Sequence, residues 1–127
     1  MNHDKFKTDI TCLAIDSKSS VKDHQYTPLE DAVAYYCARM DVRKNDTLDV
    51  IVLRLNLFSK PSVPLTLSSF KNRIANMNYE INGKGLARNS EQGKLIGQYM
   101  NKLLKNGTIK SVELKGYVNA LFGKEIV

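Results

Sequence analysis

Hydrophobic positions recur at helical spacing in several stretches of the chain. The sharpest start is Tyr26-Thr27-Pro28-Leu29-Glu30, which combines an N-cap hydroxyl, a proline at the first helical position and a glutamate three residues after the cap. Leu29, Val33, Tyr36, Cys37 and Met40 then recur every three or four residues and predict a helix over 28–40 with one buried stripe. A short basic helix is expected from Thr66 or Ser68 to Met77, with Phe70, Ile74 and Met77 as its seam. Asn82-Gly83-Lys84-Gly85 reads as a turn, and Ser90 caps the next helix. There Leu95, Ile96, Tyr99, Met100, Leu103 and Leu104 line one face until Asn106-Gly107 stops it. That stripe is core or, if left half covered, the surface of a homodimer. A last helix over 111–122 would bury Leu114, Val118, Leu121 and Phe122.

Two stretches stay open on pattern alone. In 48–58, Leu48, Ile51, Val52, Leu55 and Phe58 fit a helix, while Leu53, Leu55 and Leu57 alternate with Arg54 and Asn56 like a strand, and the β-branched run Val50-Ile51-Val52 favours the strand. Pro61 and Pro64 then break the chain. Residues 1–25 are polar apart from the cluster Ile10 to Ile15, which fits a helical turn or a short strand equally well. They read as a partly flexible arm before a single domain over 26–127.

A chain of 127 residues and 14.3 kDa suits one domain. With 43% hydrophobic and 25% charged residues it is neither disordered nor a disulfide scaffold. No apolar run approaches the roughly 18 residues that cross a bilayer, and Met1-Asn2-His3-Asp4-Lys5 does not lead into a signal sequence, so a cytoplasmic protein with no membrane partner is expected. Cys12 and Cys37 form no CxxC pair, and Cys37 sits in an apolar segment as a small buried hydrophobe. His3 and His24 have no ligand-spaced partners and read as solvated surface residues, so neither metal nor cofactor is expected. Charge is more informative. Residues 1–59 hold eight Lys/Arg against nine Asp/Glu, whereas 60–127 hold eleven against four. Such a basic half suits a phosphate backbone, though solubility alone would also account for it.

Three degenerate motifs occur in a characteristic order: Tyr26-Thr27-Pro28-Leu29-Glu30, then Phe70-x-x-Arg73-Ile74-x-Asn76, then Gly85-Leu86-Ala87-Arg88-Asn89-Ser90. Over about residues 26–100 this resembles the N-terminal regions of bacterial HNH-type restriction endonucleases and their stand-alone phage or plasmid relatives. The resemblance implies that 48–58 is a helix. It also implies an all-α fold, a helix-turn-helix-like or Myb-like trihelical core with two additional C-terminal helices. Two features depart from the pattern: the loop 59–67 is longer than a helix-turn-helix turn, and no His-Asn-His constellation follows, so nuclease activity does not carry over.

In such a unit Leu29, Val33, Cys37, Ile51 and Leu55 would form a brace for Phe70 and Ile74, and helix 68–77 would enter the major groove of double-stranded DNA. Ser68, Ser69, Lys71, Asn72, Arg73 and Asn76 supply the donors and acceptors that base reading needs, while Lys60, Lys84, Arg88 and Lys94 would hold phosphates. Each has a plainer alternative: Asn76 fixing a neighbouring loop, Lys71 and Arg73 solvating a surface, Gly83-Lys84-Gly85 forming an ordinary turn. The expected function is a non-enzymatic DNA-binding protein, a small regulator or a phage or plasmid accessory factor. The competing reading is a protein-interaction module, such as a phage-encoded inhibitor of a host defence complex. An enzyme is disfavoured because paired carboxylates, metal-spaced histidines and a Ser-His-Asp arrangement are absent from the sequence.

Overall fold

Helix α2 (Pro28–Arg39) is the central rod of the molecule, and nine of its twelve residues are buried. The computed structural model describes residues 1–15, 22–84 and 89–127. Its other elements are α1 (His3–Thr11), α3 (Asn45–Ser59), α4 (Leu67–Asn82), α5 (Glu91–Lys105), a 3-10 turn (Ser111–Glu113) and α6 (Leu114–Ala120). The fold is all-α among the described residues, as expected. Helix α2 packs against α1, α4, α5 and α6, which explains why small and apolar side chains occupy nearly its whole circumference. Its capping box forms as the sequence predicts, with the Glu30 amide donating to Thr27 Oγ1 (3.2 Å) and the Thr27 amide donating to Glu30 Oε1 (2.8 Å).

The ambiguous stretch 48–58 lies wholly inside α3. Burial of Leu48, Ile51, Val52 and Leu55 along one side offsets the strand preference of the β-branched run. The helix starts at Asn45, with no side-chain cap, and Thr47 lies in its first turn. Helix α4 begins as predicted, its Ser69 amide capped by Thr66 Oγ1 at 3.1 Å, but it runs to Asn82 rather than Met77 and stops at Gly83 in the left-handed region, φ 67°. The long loop before it is pinned by Asn56, whose side chain donates to the Leu65 carbonyl and accepts from the Leu65 amide, both at 2.9 Å. Val33, Cys37, Ile51, Leu55, Phe70 and Ile74 are buried in one core with Leu29 packed against it, but α4 packs chiefly on α2 and α5 and to a smaller extent on α3.

The arm reading of residues 1–25 needs correction over 3–11, which form α1 with Phe6 and Ile10 fully buried. Asn2 caps this helix (Lys5 amide to Asn2 Oδ1, 2.8 Å), Phe6 meets Tyr117 edge-on at 5.4 Å between centroids, and the Tyr99 hydroxyl donates to Asp9 Oδ2 at 2.8 Å. The hydrogen bonds from Tyr99 and Lys5 hold the Asp9 carboxyl below the usual range. In the stripe on α5, Ile96, Met100 and Leu103 are core, and Leu95, Tyr99 and Leu104 are half-covered at its edge. Helix α5 lies so close to α4 that a Cβ on Gly97 would stand 2.9 Å from Glu80 Cβ. No helix among the described residues is long and apolar enough to cross a membrane.

Candidate nucleic-acid interface

Helix α4 has two polar sides with different surroundings. Its apolar seam, Phe70, Ile74 and Met77, is buried as expected. Opposite it, Ser68, Lys71, Asn72, Ala75, Asn78 and Asn82 are exposed, one or two per turn over the length of the helix. The stripe contains no carboxylate, because the helix's one acidic residue, Glu80, is half-buried and accepts from the Asn89 side chain at 3.2 Å. Lys71 reaches the first turn of α3, donating from Nζ to Asn45 Oδ1 at 3.1 Å. Beside the stripe lies a depression of about 290 Å³ lined by Lys71, Ala75 and Asn78 on α4 and by Val42 and Arg43 before α3. A second depression, of about 420 Å³, is lined by Asp41, Arg43, Asn78 and Asn82 among others.

Arg73 does not belong to that outward face, and its expected role in base reading is corrected. Its side chain is 13% exposed and pairs with Asp31 of α2, which is fully buried. Arg73 Nε donates to Asp31 Oδ1 at 2.5 Å, Nη2 to Oδ2 at 2.9 Å, and Nη2 also to Ser90 Oγ at 3.0 Å. The guanidinium lies 4.2 Å from the Tyr26 ring centroid. Burial disfavours the Arg73 charge, but the hydrogen bonds and charge of Asp31 outweigh it and raise its affinity for the proton. Gln92 completes the cluster by donating to Asp31 Oδ2 (2.8 Å) and to the Tyr26 carbonyl (2.9 Å). The Nε and Nη2 donors of Arg73 and the side-chain amide of Gln92 are spent on the protein's own acceptors, which pairs the buried charge of Asp31.

Ser69 is corrected in the same way: its hydroxyl shares a 2.8 Å hydrogen bond with the Tyr26 hydroxyl instead of facing outward. Burial pushes that tyrosine up to about 12, against the opposing hydrogen bond of Ser69 and charge of Arg73. Asn76 is half-buried, and its main-chain carbonyl accepts from Asn89 Nδ2 at 2.8 Å, so the position contributes to holding a neighbouring loop. His24, expected on the surface, has a side chain only 4% exposed. Its Nδ1 lies 2.7 Å from the Val63 carbonyl and its Nε2 3.0 Å from Glu30 Oε2, which ties the loop before α4 to the start of α2. Cys37 is buried as expected, and desolvation lifts its thiol to about 12.

The expected phosphate contacts divide by location. Lys84 is exposed just beyond the α4 terminus, Lys94 is exposed on α5, and Lys60 is the C-cap of α3. Arg88 lies outside the described residues, as do Gly85, Leu86 and Ala87. Ser90 caps α5 by accepting from the Gly93 amide at 3.1 Å. Sequence reasoning missed Asn78 and Asn82, which join the stripe because α4 continues past Met77. It also missed Arg43, which is salt-bridged to Asp41 at the rim of both depressions. The signal for the two asparagines was their continuation of the spacing Ser68, Lys71, Asn72, Ala75. No group of three His, Cys, Asp or Glu side chains that could hold a metal ion occurs among the described residues. The chain matches no family model, no curated protein and no solved structure.

Proposed function

We propose that this chain is a non-enzymatic double-stranded-DNA-binding protein, a small regulator or a phage or plasmid accessory factor, that lays the exposed stripe of α4 against a groove. The observation that carries the reading is the composition of that stripe: amides, a hydroxyl, an alanine and a lysine, with no carboxylate on the stripe itself and the neighbouring Asp41 paired with Arg43. Asn72, Asn78 and Asn82 have the donor and acceptor pair that suits adenine N6 and N7, and Lys71 donates to guanine or to a phosphate. Lys84 and Lys94 supply further cations for the backbone. Arg73 anchors α4 to α2 and takes no part in reading. The resemblance of the three ordered motifs to regions of DNA-cleaving enzymes points to the same class of ligand.

The test is a fluorescence-anisotropy titration of a mixed-sequence duplex at about 50 and about 200 mM salt. With three lysines on phosphates, log affinity falls against log salt with a slope of about −3. Lys71→Ala reduces that slope by about 1, and Asn72→Ala lowers affinity by about 1–3 kcal/mol on sequences it reads. Absence of binding at the lower salt, or affinity unchanged by Lys71→Ala combined with Asn72→Ala, overturns the proposal.

A further inference from the structure

Asp41 breaks two local rules at once. It follows the C-cap of α2 with φ 57°, in the left-handed region that favours glycine, and it places an acid where the helix dipole favours a cation. The Val42 amide closes this terminus on the Cys37 carbonyl at 2.9 Å. What the acid gains is Arg43. The arginine Nε donates to Asp41 Oδ1 and its Nη2 to Oδ2 at 2.8 Å, a side-on pairing of two side chains that are 80 and 66% exposed for Arg43 and Asp41. A pair this open adds little to stability, so the fold does not account for it. Its place is more telling. Arg43 and Asn78 are the polar residues common to both depressions beside the α4 stripe, Arg43 on the link from α2 to α3 and Asn78 on α4.

We propose that Arg43 is a further base-reading residue of the nucleic-acid interface, specific for guanine, and that Asp41 is its positioning residue. The inference rests on the DNA reading above and names a specificity which that reading does not contain. Side-on pairing occupies Nε and one Nη2 hydrogen of Arg43, and it leaves the end-on edge, Nη1 and the second Nη2 hydrogen, clear of Asp41. That edge can donate in parallel to guanine O6 and N7. The other ligand for an arginine here is a phosphate, and the pairing argues against it. Asp41 cancels much of the charge that draws a phosphate and repels its oxygens, while it fixes the plane of the fork on which bidentate reading depends. Lys71, which lines the smaller depression and bonds to the neutral Asn45 side chain, keeps the charge that Arg43 shares with Asp41.

Selection by the full chain from a pool of duplexes with a randomised centre, read by sequencing, tests this, together with affinity for the unselected pool at about 50 and about 200 mM salt. The wild-type chain favours guanine at one position by about tenfold, beside the positions set by the α4 asparagines. Arg43→Lys, which keeps the charge and loses the fork, removes that preference and leaves the others. Asp41→Asn keeps a side chain that tolerates the left-handed backbone. It weakens the guanine preference by about threefold or more, yet it tightens binding to the unselected pool and steepens the salt slope by about 1, because a cation is freed for phosphate. A purely structural role for Asp41 would move neither preference nor slope. No guanine preference in the wild type, a preference retained in Arg43→Lys, or an Asp41→Asn variant that matches the wild type in preference and slope overturns the proposal and leaves the DNA reading standing. A wild-type chain that binds no duplex at the lower salt overturns both. Should Asp41→Asn lose helical circular dichroism, Arg43→Lys decides alone.

Discussion

At the scale of single residues, the pair Arg73 and Lys71 shows how two cations two positions apart acquire unrelated roles. Lys71 stands on the open side of α4, where replacement changes stability by only about 0.5 kcal/mol. Arg73 neutralises Asp31, a carboxylate with no exposure. Arg73→Ala leaves that charge buried and uncompensated, and we expect a loss of about 3–5 kcal/mol in urea unfolding, against little change for Lys71→Ala. Equal effects would mean that the ion pair does not hold the fold. Nothing local announced this pairing. The partner lies 42 residues away in sequence, and only the packing of α4 on α2 joins them. The helical wheel offered a weaker sign, for at 100° per residue Arg73 falls about 60° from Phe70, on the shoulder of the apolar seam. His24 escaped notice for the same reason, since its acceptors Val63 and Glu30 come from two different segments.

At the scale of elements, what was legible followed from local chemistry. The Thr27 to Glu30 capping box and the Thr66 and Ser90 caps are decided within four residues, and α2, α4 and α5 begin at or next to the positions expected, whereas α4 ends at Gly83 and not at Met77. Helix α3 was not decidable locally, because Val50-Ile51-Val52 prefers a strand and only burial on one side turns the balance. Helix α1 was missed although Asn2, Phe6, Ile10 and Leu13 carry a cap and a four-three spacing; the polar residues between them masked it. The close crossing of α4 and α5 gives a prediction at this scale. Gly97→Ala gains about 1 kcal/mol of helix propensity but must push α4 and α5 apart, at about 1–3 kcal/mol. The expected net result is a modest fall in melting temperature, whereas a stabilised variant would show that the two helices separate freely.

At the scale of the whole molecule, α2 serves as a hub, and two outward surfaces of contrasting character lie on α4 and α3. One is the amide-rich stripe of α4, which carries no acid, and the other is the exposed apolar row of α3, Val50, Leu53 and Leu57. The surplus of cations in residues 60–127 was readable from the sequence, but which of them face outward was not, and Arg73 is the clearest loss from that set. The loop that joins α3 to α4 is pinned by Asn56 on the Leu65 backbone, which holds the two surfaces in one relative orientation. The most direct measurement of the central claim is a ¹H–¹⁵N correlation spectrum of the labelled protein titrated with a short duplex. Shifts concentrated at Ser68, Lys71, Asn72, Asn78 and Asn82, with the Arg73 Nε–H signal unmoved, are the predicted result. Shifts absent from α4, or a displaced Arg73 signal with the α4 stripe unchanged, would contradict the account.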